Sequence, residues 1–351
     1  MPRNTRKSSA WRWLWPLAVL ALLWVANPVI SDRDRFSPYL LQIVMLSGIN
    51  IVLSVSLNVV NGFAGQFSLG HAGFMAVGAY TSAYFTMSVM HTPLRLMSAG
   101  EQAAWMVGAL ILSGLAAGFC GWLVGMPSLR LRGDYLAIVT LGFGEIIRIL
   151  IRNIDQIGGP RGLSGISPLT SFFWVGAVAA LTIALSRNLL DSTHGKALLA
   201  VREDEVAAES LGVDTTGYKV TAFVLSSALA GMAGCLFAHY LVYIHPDSFW
   251  FVRSIEIIVM VIVGGLGSTT GAVLGAVIIT LLPEVLRNAD VLLADAHIPL
   301  PFLLKDYRMV IYSLLLILLM LVRPKGIMGG AELSWKSLRR LFRRQSEGAR
   351  A

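Results

Sequence analysis

Arg187-Asn-Leu-Leu-Asp-Ser-Thr-His-Gly-Lys-Ala-Leu-Leu-Ala-Val-Arg-Glu-Asp-Glu-Val-Ala-Ala-Glu-Ser-Leu-Gly-Val-Asp-Thr-Thr-Gly-Tyr-Lys219 is a polar interval in a chain that is otherwise apolar. It carries too much charge to enter a bilayer, and its apolar residues recur too regularly for a slack loop. Lys196–Arg202 reads as a first short helix. Glu203, Asp204 and Glu205 then gather where a helix N-terminus favours negative charge. Val206-Ala-Ala-Glu-Ser-Leu211 continues as a second helix, and Gly212 ends it. Val206, Ala207 and Leu211 form a narrow apolar strip of the kind that seats in a partner's groove. The alternative reading is a solvated helical hairpin.

Outside this interval the chain is built for lipid. Of 351 residues, 56% are hydrophobic and only 14% are charged, against about 25% charged in a soluble domain. Several apolar runs reach the roughly 20 residues that cross a bilayer core. Strong period-two alternation is missing, which argues against a barrel. The expected fold is an all-α, polytopic membrane protein with spans near 12–30, 38–60, 72–90, 102–126, 134–152, 172–186, 219–242, 254–266, 270–287 and 308–322. Residues 1–330 form one transmembrane domain, with 187–219 as its cytoplasmic loop and 331–351 as a basic tail. The first apolar run is long for a signal peptide and reads as an uncleaved span. Three spans are short: 172–186, and the pair that meets around Gly264–Gly275. A backbone break there would have to face the bundle interior.

The net charge of +8 is a topology signal and not a nucleic-acid one. Arg3, Arg6, Lys7 and Arg12 precede the first span. Arg323, Lys325, Lys336, Arg339, Arg340, Arg343, Arg344 and Arg350 follow the last. With Arg130, Arg132 and the four cations of 187–219, this places both termini and the polar loop in the cytoplasm by the positive-inside bias. Cys120 and Cys235 lie in apolar runs and imply neither a disulfide nor a metal framework.

Several polar residues sit inside spans. Ser47, Asn50, Ser54, Asn58 and Asn61 are spaced 3, 4, 4 and 3, so they share one helix face. That face is either a wall of a substrate path or interhelical hydrogen-bond glue. Ala72, Ala76, Ala79 and Ala83 form a small-residue stripe, read as a close helix contact. Between the two lies Gly62-Phe-Ala-Gly-Gln-Phe-Ser-Leu-Gly-His-Ala-Gly73. Gln66, Ser68 and His71 stand near a helix start whose free N–H groups would suit a carboxylate; otherwise the segment is a cytosolic turn capped by its histidine. Glu145 falls about 16 Å along its helix, near the bilayer midplane. It reads as a gate, as a partner for a substrate ammonium, or as half of an ion pair with Arg148 one turn on. Arg253 and Glu256 repeat that spacing and read as a snorkelling pair.

Catalytic chemistry finds no support. Gly264-Gly-Leu-Gly-Ser-Thr-Thr-Gly-Ala-Val-Leu-Gly275 lacks the lysine of a phosphate-binding loop, and Gly195-Lys196 lacks both the upstream glycine and the following hydroxyl. No metal-ligand spacing or nucleophile elbow occurs. Energy for transport would therefore come through the polar loop from another protein, or else from a proton gradient through Glu145. A GxxG at Gly62–Gly65 echoes at Gly264–Gly267, which raises internal duplication as an option.

Four motifs carry a resemblance to the permease subunits of ATP-binding-cassette importers for branched-chain amino acids. They are Asn61-Gly-Phe-Ala-Gly-Gln-Phe-Ser-Leu-Gly-His-Ala-Gly73, Gly133-Asp-Tyr-Leu-Ala-Ile-Val-Thr-Leu-Gly142, Arg202-Glu-Asp-Glu-Val-Ala-Ala-Glu-Ser-Leu-Gly212 and Arg323-Pro-Lys-Gly-Ile-Met-Gly329. The match runs from about 38 to 328. The third motif resembles the family's coupling motif at Ala207, Ala208 and Gly212. Val206 stands at the family's glutamate position, and Glu205 comes one residue earlier. The resemblance implies a coupling loop built from Arg202, Glu203, Glu205, Ala207, Ala208, Glu209 and Gly212. It implies an inner-membrane location, a second permease subunit, two cytosolic ATP-binding subunits that use the ATP, and a periplasmic substrate-binding protein. No cofactor is expected on this chain. The family also includes permeases for urea and other amides. Asn50, Ser54, Asn58, Gln66, His71 and Glu145 remain the substrate-path candidates from the residues themselves.

Overall fold

The computed structural model describes residues 37–90, 94–129, 131 and 133–295, with scattered residues in 21–27 and 310–332. The expected spans 12–30 and 308–322 lie largely outside the described residues, as do Arg130, Arg132, the N-terminal cations and nearly all of the basic tail.

Pro38–Asn58 forms α1, with proline in its first turn, where its missing N–H costs nothing. It runs on into a wider turn over Val59–Phe63. His71–Val89 is α2, Ala99–Ser128 is α3 and Asp134–Arg152 is α4. Ser98 and Glu101 close a reciprocal capping box at the start of α3. Phe172–Asp191 is α5, and the polar interval supplies α6 (Thr193–Glu203) and α7 (Glu205–Ser210). Thr215–Leu241 is α8, Phe251–Gly264 is α9 and Thr269–Asp295 is α10. A two-residue ladder, β1 (Leu163–Ser164) against β2 (Tyr243–Ile244), ties the loops at the end opposite α6 and α7.

Among the described residues, five helical stretches are long and apolar enough to cross a membrane: Pro38–Phe63, Ala99–Ser128, Phe172–Asp191, Thr215–Leu241 and Thr269–Arg287. The chain is an all-α, multi-pass membrane protein. The short-span expectation is corrected in two places. The 172–186 span continues to Asp191, because Arg187 and Asn188 extend the helix beyond its apolar part. Of the pair around Gly264–Gly275 only α9 is short: its 14 residues rise about 21 Å, less than the roughly 30 Å core. The partner α10 has 27 residues.

The centre of the bundle is α8, packed on α2 and α3. Small residues make this possible. A methyl group on Gly78 would stand 2.1 Å from the Gly231 carbonyl oxygen, and one on Gly234 would stand 2.0 Å from the Met75 carbonyl oxygen. Ala72, Ala76, Ala79 and Ala83 are all buried, as the small-residue stripe predicted. Backbones this close gain dispersion contacts that lipid cannot match. On the other side, α1 packs against α5, α9 and α10.

The Gly62–Gly73 segment departs from both expectations. It reaches the surface only at Gly65 and Phe67, which are exposed. From Ala64 the chain leaves helical structure and climbs into the bundle, so that α2 starts among its neighbours. His71 is 3% exposed and its Nε2 lies 2.8 Å from Ser56 Oγ. Three N–H groups around this helix start have side-chain acceptors. Ser68 N donates to Asn61 Oδ1, Leu69 N to Thr140 Oγ1 and Ala72 N to Ser254 Oγ. All three hold protein oxygens. Partners of this kind are what let irregular backbone persist inside a bundle.

Candidate functional site

Two polar assemblies occupy opposite ends of the described bundle. The first is the loop of α6 and α7. Ser192 caps α6 by accepting from Gly195 N, and Asp204 caps α7 by accepting from Val206 N and Ala207 N, both at 3.0 Å. Gly212 adopts φ +84° and turns the chain back, with Gly212 N donating to Glu209 O and Val213 N to Ala208 O. Ala208 packs inward. Glu203, Ala207, Glu209, Leu211 and Val206 are exposed, and Leu211 is 85% so. The apolar strip therefore lies open on the surface of this chain.

Two ties fasten the loop to the spans. Lys219, at the start of α8, has a side chain only 1% exposed, and its Nζ lies 2.6 Å from Glu205 Oε2. Arg202 reaches further. Its Nη1 donates to the Gly62 carbonyl at 3.0 Å, and the same guanidinium pairs with Glu203. A methyl group on Gly267 would stand 3.1 Å from that Nη1. The two GxxG turns, 200 residues apart in the chain, thus meet at one arginine of the loop. Asn58 joins them as well, accepting from Gly267 N at 2.9 Å. The Gly326–Met328 stretch closes the same break: Ile327 N donates to Val263 O and Met328 N to Gly264 O. Glu332 caps α10 through Thr269 N and Thr270 N. The amide nitrogens of Asn58 and Asn61 are buried with no partner among the described residues. The space between the two breaks is one of the places where buried polarity is left unmet among the described residues.

The second assembly is a cavity of about 330 Å³ between the far halves of α1, α9 and α10. Asn50, Arg253, Glu256, Thr280 and Glu284 supply its polar wall, and Leu46, Phe237, Met260 and Ile279 its apolar one. Arg253 Nη2 donates to Asn50 Oδ1 at 2.6 Å, Arg253 Nη1 lies 2.8 Å from Glu256 Oε2, and Asn50 Nδ2 donates to Thr280 Oγ1 at 2.8 Å. Glu284 is held by Arg287 and by the Tyr39 hydroxyl, with the Arg287 guanidinium 4.3 Å over the Tyr39 ring. The size falls within the range of ligand pockets.

The structure separates the substrate-path candidates. Of the α1 stripe, Asn50 alone lines the cavity. Ser54 Oγ donates to the Ala272 carbonyl, and Asn58 and Asn61 bond the two breaks. These three hold helices together. His71 and Gln66 lie away from the cavity, and Gln66 turns back on the Ala64 carbonyl. Glu145 pairs with Arg148 at 2.8 Å and also accepts from Phe251 N at 3.1 Å, so it caps α9. Arg148 goes on to Asp247 at 2.9 Å. This is a clamp between α4 and the loop before α9. Reading the sequence alone set Arg253 and Glu256 aside as a surface pair and missed Glu284 and Thr280. The i,i+3 spacing was visible. The Asn50 partner, 203 positions away, was not.

Comparison with known proteins places this geometry in context. The family model described as "Branched-chain amino acid transport system / permease component" matches residues 39–320. The chain is similar to the high-affinity branched-chain amino acid transport system permease protein LivM of Salmonella typhimurium, with 35% identity over 90% of this chain and 74% of that protein. LivM of Escherichia coli is likewise 35% identical, over 89% and 74%. The permease protein LivH of Escherichia coli is 24% identical over 85% of this chain and 98% of its own length. No solved structure matches. The chain belongs to the family of branched-chain amino acid transport permease components.

Proposed function

We propose that this chain is the membrane-spanning subunit of an ATP-driven importer that moves branched-chain or related amino acids into the cytoplasm. Family membership supports the substrate class. The observation that carries the mechanism is the α6–α7 loop. It exposes an apolar strip at Val206 and Leu211, while Arg202 and Lys219 anchor it to the spans. Such a loop takes up force from a docked motor and passes it into the bundle.

In this reading the chain is not an enzyme and binds no cofactor. Two cytosolic ATP-binding subunits hydrolyse ATP and dock on the loop, each against one permease subunit. The second permease subunit is a LivH-like chain, since relatives of both kinds match. A periplasmic binding protein delivers the amino acid to the mouth opposite the loop. Ten spans place both termini and the loop on the cytoplasmic side of the bacterial inner membrane, in accord with the placement of basic residues. Closure of the ATPase pair shifts the loop, and the spans move from outward to inward access.

The test is uptake of labelled leucine by proteoliposomes holding the complete complex and the binding protein. Uptake that needs ATP and stops when the ATPase subunits are omitted supports the proposal. Uptake by this chain alone, driven by a pH gradient, refutes it in favour of a proton-coupled carrier.

A further inference from the structure

The cavity between α1, α9 and α10 holds both signs of charge on one side and an apolar wall on the other. Arg253 contributes the positive group, and its side chain is 19% exposed. Asn50 orients the guanidinium at 2.6 Å, and Thr280 orients Asn50 in turn. A guanidinium has five N–H donors, more than Asn50 and Glu256 use here. Glu256 is 44% exposed and is held by Arg253 alone among the described residues. Glu284 is committed elsewhere, to Arg287 and Tyr39.

We infer that this cavity is a transport site for a zwitterionic α-amino acid, in which Arg253 takes the carboxylate and Glu256 the ammonium. The inference rests on the importer reading above and adds where, within one subunit, the substrate stops. A carboxylate entering on Arg253 displaces Glu256. The released Glu256 then faces an ammonium that the same ligand brings. The ion count is balanced before and after, so the site discriminates against ligands with one charge. A simple anion would strand Glu256 without a counter-charge. A simple cation would have to compete with Arg253 for Glu256. An aliphatic side chain fits against Leu46, Met260 and Ile279.

The test uses the permease complex in nanodiscs without binding protein, so that selectivity belongs to the membrane subunits. Labelled leucine is displaced by three probes: leucine, 4-methylpentanoate, which lacks the ammonium, and 3-methylbutylamine, which lacks the carboxylate. In the wild type both truncated probes should compete at least about tenfold more weakly than leucine, the effect of losing one charged hydrogen bond. Arg253→Gln should weaken leucine by at least about tenfold and abolish the handicap of the amine. Glu256→Gln should abolish the handicap of the acid. Arg253→Lys should recover part of the affinity. Equal competition by the three probes in the wild type would overturn the site, as would either neutral variant with unchanged discrimination. If Arg253→Gln fails to assemble, Glu256→Gln decides alone. The outcome is separable from the importer reading. Intact ATP-dependent leucine uptake in an Arg253→Gln complex sinks the site and leaves the importer standing, whereas a wild-type complex that takes up no branched-chain amino acid sinks the importer itself.

Discussion

The Lys219–Glu205 pair should behave asymmetrically when it is broken from its two sides. Its Nζ–Oε2 distance is 2.6 Å, with 1% exposure on the lysine side chain and 22% on the glutamate. Glu205→Gln leaves an ammonium buried at the root of α8 beside a neutral amide. One-sided removal from a buried pair costs about 3–5 kcal/mol, and the partial hydration of Glu205 puts this case near about 3 kcal/mol. Lys219→Met removes the deeper charge, replaces it with a side chain that packs, and leaves a carboxylate that water still reaches. The expected cost is about 1 kcal/mol. Once the ammonium is gone, neutralising Glu205 strands no buried cation, so the double variant should resemble Lys219→Met. The coupling energy is then about 3 kcal/mol in magnitude.

Thermal unfolding of the detergent-purified complex reads these differences, at about 2 °C per kcal/mol for a chain of this size. Glu205→Gln should lower the midpoint by about 6 °C. Lys219→Met and the double variant should each lower it by about 2 °C. Additive losses in the double variant would refute the argument. So would a Glu205→Gln midpoint within about 1 °C of the wild type, because the lysine would then not depend on this carboxylate.

Three further outcomes follow from the same contacts. Gly234→Ala puts a methyl group 2.0 Å from the Met75 carbonyl and 2.8 Å from Ala79 N; it should cost about 3 kcal/mol through overpacking, seen as a lower midpoint and poor membrane yield. At Gly212 an added Cβ meets nothing within 4 Å in this chain, but Gly212→Trp must hold φ +84°. It should cost only about 1–2 kcal/mol in fold stability yet abolish co-purification of the ATPase subunit, and retained co-purification would remove Gly212 from the docking surface. Arg202→Gln loses the bond to the Gly62 carbonyl. It should leave ATP hydrolysis in place while leucine transported per ATP falls about fivefold, the equivalent of about 1 kcal/mol.

Local rules made much of this protein legible in its sequence. Apolar run length located the spans from Pro38 to Arg287. The alanine stripe of α2 announced a close contact, and Asp204 and Gly212 marked where α7 begins and ends. The misjudged features depend on partners distant in sequence. Nothing near His71 says that Ser56 waits for its ring or Ser254 for Ala72 N, so Gly62–Gly73 read either as an open helix start or as a cytosolic turn. For Glu145 the Arg148 partner one turn on was legible, and the ion pair forms; its second partner, Phe251 N, lies 106 positions on and was not. Arg253 looked like a snorkelling cation because Asn50 comes from a different helix. In each case spacing supplied the neighbour one turn away, and tertiary packing supplied the group that fixes the role.

The physical link between the loop and the cavity is α9. Its 14 residues form a rod of about 21 Å, too short to span and pinned at both ends. At one end the break after Gly264 touches Asn58, Gly326 and the Arg202 guanidinium of the loop. At the other, Glu145 caps Phe251 N, and Arg253 and Glu256 stand on its first turn and a half. In the importer reading, a hydrogen-bonded helix is stiff along its axis and gives a shift of Arg202 against Gly62 and Gly267 a direct route to Arg253. The glycines at the break supply the hinge, since Gly265 and Gly267 hold φ +118° and +81°, where other residues are strained. A full-length span in this position would be held by lipid along its whole surface. A half-length helix hinged at glycine and capped by one carboxylate can move within the bundle while the α2–α3–α8 core, locked by backbone contact at Gly78 and Gly234, stays in place.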